Sequence, residues 1–255
     1  MVKLLKKWIV FLTIIGCTLS IPLCSRFYDI QTEQAGKTEI RYYSINPETI
    51  LESLGQGNID VFSLIAATPE SMSSALVKPS FWSQGDYFQI TQALFEESWG
   101  VSLENQNLLN MSFDMDCADV ERGIFNSADF NFYQIIQVAG EETRIEYEIV
   151  IRPSEGLIYT SKREYRPNMQ IMKPIDLGQY SVTAEEALGI AEKNGGAEKR
   201  LEVGNACDLD VLAPGPDYKG WRILYGDAYD NLKSLLEVAV DPKTGENKVI
   251  FPKPK

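Results

Sequence analysis

The sequence predicts an α+β fold with two helix-on-antiparallel-sheet units in tandem behind an amino-terminal membrane anchor or signal segment. Two observations predict the units. One strand–turn–strand pattern occurs twice, as YEIVIRPSEGLIYT at 147–160 and LEVAVDPKTGENKV at 236–249. Each half also begins with a short helix that has end signals, and a helix on an antiparallel sheet is a layered α+β unit. We therefore expect a leader (1–26), an amino-terminal α+β domain (27–174) and a carboxy-terminal one (175–255).

The leader is the third observation. Three lysines within the first seven residues precede an apolar run of 17 residues, Trp8–Cys24. This run is at the short limit for crossing a bilayer, and the lysines favour the cytoplasmic side for its start. Three alternatives remain open: an uncleaved anchor, a lipoprotein signal with Cys17 as the lipidated residue of IIGC, and a signal peptide cleaved near Ser25. All three place residues 27–255 on the extracytoplasmic face of the cell membrane.

The first half contains several elements before its hairpin. End signals predict a helix over 45–55 and another from Tyr87 to Trp99, ended by Gly100. Strands are expected at 59–66, 108–117 and 123–138. In the hairpin, alternation places Ile145, Tyr147, Ile149 and Ile151 on the inward face, and Leu157 to Tyr165 forms the returning strand.

The second half follows a connection at 166–179. Thr183 and Glu186 have the spacing of a capping box, and Asn194-Gly195-Gly196 is expected to end the helix. Strands are predicted at 201–212 and 221–225. The last hairpin should turn Leu236, Val238 and Val240 inward, with a positive φ at its turn residue Gly245.

Cys117 and Cys207 are predicted to form a disulfide, since an extracytoplasmic body is oxidised. Each cysteine adjoins an acidic pair of opposite strand parity, so both thiols are expected to face inward and meet. The alternative is two buried free cysteines. The same alternation is expected to place four aspartates close together on the opposite face, where they are candidate ligands for a hard cation such as Ca²⁺. The alternative is that these aspartates are solvated charges on the strands. The four residues are Asp114, Asp116, Asp208 and Asp210.

The carboxy-terminal stretch resembles a known family. The segments VTAEEALGIAEKNGG, WRILY and LEVAVDPKTGE, within 181–249, resemble the PepSY domain over roughly a quarter of the chain. The resemblance implies a small helix-on-sheet module outside the cytoplasm, membrane-attached or in a protease propeptide. It also implies binding or inhibition of peptidases, and it brings no catalytic residues.

Composition excludes several classes of function. The chain has no histidine, which excludes Ser-His-Asp and Cys-His catalysis and His-ligated zinc. Residues 27–255 hold 20 basic and 36 acidic groups, a net charge of −16, so nucleic acid is not an expected partner. No cofactor is predicted, because the GKT at 36–38 lacks the first P-loop glycine and Tyr229 and Lys233 lack a Gly-rich dinucleotide motif.

One group of aromatic residues allows two interpretations, a binding groove or core packing, and core packing is the expected one. The group is Tyr42, Tyr43, Phe81, Trp82, Tyr87 and Phe88. From the sequence we expect a membrane-attached extracytoplasmic binding or regulatory protein without catalytic activity, acting on a peptidase or another envelope protein. The alternative is an extracytoplasmic hydrolase that uses carboxylates, which a pocket with convergent acids would favour.

Overall fold

The computed structural model describes residues 35–45, 65–67, 82–123, 125–165, 173–215 and 219–251. These residues contain ten strands and three α-helices. In chain order they are β1 (Ala35–Ile45), β2 (Ile65–Ala67), α1 (Gln84–Trp99), β3 (Asn107–Asp116), β4 (Ser127–Val138), β5 (Glu141–Arg152), β6 (Leu157–Tyr165), α2 (Ala184–Ala191), α3 (Ala197–Glu202), β7 (Cys207–Leu212), β8 (Trp221–Asp227), β9 (Asp230–Val240) and β10 (Asn247–Phe251).

All ten strands belong to one antiparallel sheet, in the order β10-β9-β8-β7-β3-β4-β5-β6-β1-β2. The prediction of two separate helix-on-sheet units in tandem is therefore wrong. Strands β3 and β7, the first strand after the helical segment of each half, pair from Ser112↔Leu212 to Asp116↔Asp208. Two separate units would leave both as unpaired edges, and pairing them satisfies those backbone groups. The alternation of apolar and polar residues within a strand shows which side chains share a face. It does not show which strand lies beside which other strand in the sheet.

The repeated hairpin belongs to a repeated order of elements. A helical segment followed by four strands occurs as α1 with β3–β6 and as α2–α3 with β7–β10. The first residues of α1 and α2, Gln84 and Ala184, are 100 residues apart, and the same spacing separates the first residues of β3 and β7. At this spacing Ser112 corresponds to Leu212, and these two residues pair with each other. The halves are thus related by an approximate two-fold axis through that pair.

The core lies on the face of the sheet that the helices cover. Phe95 of α1 packs against Phe132 and Tyr147 at centroid distances of 5.5 and 4.8 Å. On the other half, Trp221 donates from Nε1 to the Val182 carbonyl just before α2. The inward residues predicted for both hairpins are all buried, so that part of the prediction is confirmed: Ile145, Tyr147, Ile149, Ile151, Leu236, Val238 and Val240.

The helix starts follow capping rules. The predicted box of Thr183 and Glu186 is present at α2, and Ser83 forms a second box with Asp86 at α1. Gly100 ends α1 in the left-handed region, as predicted. Because Ser83 is the cap, α1 begins three residues before the predicted Tyr87.

The predicted end of α2 is wrong. Asn194 and Gly195 leave helical geometry, but the chain makes a π turn over 192–196 and continues as α3. A buried network holds this turn: Arg200 donates to Glu192 at 2.7 Å, and the Tyr225 hydroxyl donates to the same carboxylate. Consequently the strand expected at 201–212 begins only at Cys207.

Other boundaries are close to expectation, and some predictions are not covered. β6 spans the predicted 157–165, and Gly245 has a φ of 74°. The leader with Cys17, residues 46–55 of the predicted helix and residues 59–64 of the predicted strand lie outside the described residues. Ile45 ends β1 instead of beginning a helix, and the last two positions of the predicted strand belong to β2. Within the described ranges, no helix is both long and apolar enough to cross a bilayer.

Candidate functional site

A pocket of about 520 Å³ lies on the face of the sheet opposite the helices, and we call it the outer-face pocket. Alternate residues of β1 and β3–β6 project there, so polar positions of five strands share one surface. It is lined by Tyr42, Ser112, Asp114, Asp129, Glu148, Val150, Arg152, Leu157, Tyr159 and Arg163.

Strand register brings these side chains together. Asp129 on β4 lies opposite Ser112 on one side and Val150 on the other. Val150 in turn lies opposite Tyr159, and Tyr159 lies opposite Tyr42. A single row across four strands therefore runs from a carboxylate over an aliphatic residue to two phenol rings.

Neighbouring side chains orient all three carboxylates of the pocket. Asp129 accepts a hydrogen bond from the Asn131 amide at 3.0 Å. Glu148 accepts from Ser161 at 2.9 Å and from the Arg163 guanidinium at 3.2 Å. Asp114 accepts from the Ser127 hydroxyl. Charged groups held in this way are preorganised for a ligand.

Asp129 has a perturbed acidity. Burial, together with the charges of Glu148 and Asp114, raises its pKa to about 6. Arg152 and the hydrogen bond from Asn131 oppose the rise without cancelling it. Asp129 is therefore partly protonated at mildly acidic pH. Carboxyls perturbed by burial and by neighbouring carboxylates are frequent at functional sites.

The cationic and aromatic groups lie at the other side of the pocket. Hydrogen bonds with Tyr159 and Tyr165 raise the pKa of Arg163 above its ordinary value, so this guanidinium stays charged. Arg152 is half-exposed and contacts Glu155 at 3.5 Å. The rings of Tyr42 and Tyr159 are 5.4 Å apart and tilted, and Tyr42 remains 44% exposed. An apolar, partly accessible wall thus faces the carboxylates.

The predicted disulfide is confirmed. Cys117 and Cys207 are bonded, with their Cα atoms 5.3 Å apart, and both side chains are buried. Cys207 begins β7, and Cys117 follows directly after β3. The parity argument succeeds here because the two strands are direct neighbours.

The four candidate metal ligands form two opposed pairs, Asp114↔Asp210 and Asp116↔Asp208, as the parity argument expected. Burial and a hydrogen bond with Asp114, together with the charges of Asp114 and Asp208, raise the pKa of Asp210 to about 7. Over the part of the chain that the structure describes, no group of three or more His, Cys, Asp or Glu residues is arranged to hold a metal ion. We therefore assign no metal to these aspartates.

The aromatic candidates separate into two groups. Tyr43, Trp82 and Tyr87 are buried in the core, which is the expected interpretation, and Phe88 packs partly buried against it. Tyr42 is the member that lines the pocket, and Phe81 lies outside the described residues.

Sequence reasoning did not identify the other pocket residues. Glu148 and Arg152 occupy the polar face of a half-buried strand, which by itself predicts only solvent contact. The missing information is register, because Asp129, Glu148 and Tyr159 become neighbours only once β4, β5 and β6 pair. The usable signal was polar residues at the centres of three consecutive strands.

Comparison with known proteins adds no assignment. No family model, no curated protein and no solved structure matches this chain. The likeness of 181–249 to the PepSY domain stays a prediction.

Proposed function

We propose that this chain is a membrane-attached extracytoplasmic binding or regulatory protein and that its ligand or partner occupies the outer-face pocket. The observation that carries the proposal is the lining, in which three oriented carboxylates and two guanidinium groups surround an aliphatic and tyrosine wall. A concave site with a few fixed polar groups beside apolar surface is typical of ligand sites.

The location rests on the sequence and on one structural feature. The apolar run Trp8–Cys24 after three lysines supports export and attachment at the membrane. The disulfide of Cys117 and Cys207 supports an oxidising compartment. The PepSY-like segment at 181–249 suggests a peptidase or another envelope protein as the partner.

Site-specific photo-crosslinking in the full-length, membrane-embedded protein tests this function. A photoreactive residue at Tyr42 lies at the pocket, whereas one at Leu201, which is 73% exposed on α3, lies on the helix-covered side. We expect adducts of defined mass from position 42 and none of the same mass from position 201. Equal labelling at both positions, or no adduct at position 42 in intact cells, would contradict a binding role for the pocket.

A hydrolase that uses carboxylates is the second candidate, and one observation favours it. The raised pKa of Asp129, about 6, provides a carboxyl able to hold a proton, and the Glu148 carboxylate lines the same pocket. General acid catalysis with two carboxylates requires one carboxyl that can hold a proton. We place the hydrolase second because the Glu148 carboxylate already accepts hydrogen bonds from Ser161 and Arg163. Hydrolysis of the ligand identified by crosslinking would favour the hydrolase if the Asp129→Asn variant no longer catalyses it.

A further inference from the structure

The charges of the outer-face pocket are not compensated evenly. Arg163 is paired with Glu148 at 3.2 Å, and Arg152 contacts Glu155 at the turn after β5. Within the described part of the chain, Asp129 accepts a hydrogen bond from the neutral donor Asn131, and the charge of Arg152 lowers its pKa without forming an ion pair with it. Asp114 receives the neutral hydroxyl of Ser127. The side of the pocket formed by β3 and β4 therefore carries excess negative charge.

The apolar wall lies in line with this negative side. From Asp129 the row continues across Val150 to Tyr159 and Tyr42. Adjacent strands are about 4.8 Å apart, so the first ring lies roughly 10 Å from the carboxylate along the sheet. With its cationic end in hydrogen-bond contact with Asp129 and its other end in van der Waals contact with the ring, a chain of a few methylene groups bridges the remaining gap.

We propose that the outer-face pocket binds a ligand with a primary ammonium group on a short apolar chain, of the kind found in diamines and lysine side chains. The ammonium group lies against Asp129 and Asp114, and the chain crosses Val150 towards the rings of Tyr159 and Tyr42. This inference rests on the proposed binding function and names the ligand class of the same pocket.

An ammonium group fits this position better than a hydroxyl or a carboxylate. A carboxylate that is removed from water without a nearby cation loses its favourable hydration free energy. A charge-assisted hydrogen bond from an ammonium group compensates for that loss. A second carboxylate would repel Asp129, Asp114 and Glu148 together. The far end of the ligand gains from apolar contact and from the negative faces of the two tyrosine rings.

Isothermal titration calorimetry of the full-length protein in non-ionic detergent tests the ligand class with three matched five-carbon probes. These are 1,5-diaminopentane, 1,5-pentanediol and glutarate, at pH 7.5. We expect the diamine to bind at least about tenfold more tightly than the other two, since one charge-assisted contact of about 1.4 kcal/mol corresponds to that factor.

Variants assign the binding to the pocket. Asp129→Asn should weaken diamine binding about tenfold, and Tyr42→Ala should weaken it about threefold without touching the core. Glu198→Gln removes the same charge from an exposed position on α3 and should leave binding unchanged. A correctly folded Asp129→Asn protein with wild-type diamine affinity would overturn the inference.

The probes also separate failure of this inference from failure of the proposed function. Glutarate or the diol binding as tightly as the diamine, with sensitivity to Tyr42→Ala, would leave the pocket a binding site and refute the ammonium class. If none of the three probes binds and no crosslink forms at position 42, both the ammonium ligand class and the proposed binding function are refuted.

Discussion

Asp210 connects the stability of the sheet to pH. Its pKa is raised to about 7 by burial, by the hydrogen bond with Asp114 and by the charges of Asp114 and Asp208. The folded protein therefore keeps this proton between about pH 4 and pH 7, whereas the unfolded chain releases it. Because the folded state binds more protons in that window, Asp210 makes stability fall as pH rises from about 4 to 7.

Replacing this carboxyl should remove that loss. An Asp210→Asn amide can still donate to Asp114 but cannot ionise, so the variant should match the wild type near pH 4.5 and exceed it above pH 7. Asp210 is partly exposed and solvent screens it, so we expect a gain of about 1 kcal/mol at pH 8. Urea denaturation at both pH values measures it. A pH-independent difference between variant and wild type would show that Asp210 does not hold the proton.

The elements themselves contact each other at their ends. The first backbone N–H of α1, on Gln84, donates to the Glu185 carboxylate at 2.5 Å. The first N–H of α2, on Ala184, donates to the Gln84 side-chain oxygen at 2.7 Å. Each helix start thus satisfies an amide of the other, close to the approximate two-fold axis. These contacts add to the capping boxes of Ser83 and Thr183.

Gln84→Ala tests this connection between the helices. The variant leaves the Ala184 amide without its acceptor, and we expect a loss of about 1 kcal/mol of unfolding free energy. Gln89→Ala removes an exposed glutamine from the same helix and should change stability by less than about 0.5 kcal/mol. Thermal or chemical unfolding of both variants measures the two changes in unfolding free energy. Equal effects of the two substitutions would mean that the contact adds no stability.

Local elements followed from the sequence because their causes are local. The capping box of Thr183, the stop at Gly100 and the alternation in 145–151 each depend on residues a few positions apart. The π turn at 192–196 did not follow, because Arg200 and Tyr225 hold Glu192 from outside the helix end. Local patterns contain no information about such distant partners.

The whole molecule was predicted least well, for a related reason. The alternation of side chains correctly predicted that Cys117 and Cys207 meet and that the four aspartates lie opposite each other in pairs. That prediction requires only that the two strands be neighbours. The same pairing, extended along both strands, merges the two predicted units into one sheet. The outer-face pocket then requires five strands in register, and no pattern within one strand predicts that arrangement.

The single sheet divides the molecule into two faces with different roles. The helix-covered face holds aromatic core residues such as Phe113 and Phe130, while the opposite face holds the charged pocket. Asp114 lies at the boundary of both halves: it pairs with Asp210 across the β3–β7 contact and also lines the pocket. The ligand position proposed at Asp129 is therefore adjacent to the contact that joins the halves.

The disulfide should stabilise this contact between the halves. Its cysteines are 90 residues apart, and closing a loop of that length restricts the unfolded chain by up to about 4.6 kcal/mol in the chain-entropy model. A Cys117→Ala/Cys207→Ala variant should therefore lose about 2–4 kcal/mol, measured by urea denaturation of the full-length protein. Reductant should lower the wild-type midpoint and leave the double variant unchanged, which controls for the leader cysteines. Alkylation of both Cys117 and Cys207 in unreduced protein, or a double variant as stable as the wild type, would refute a stabilising bond between β3 and β7.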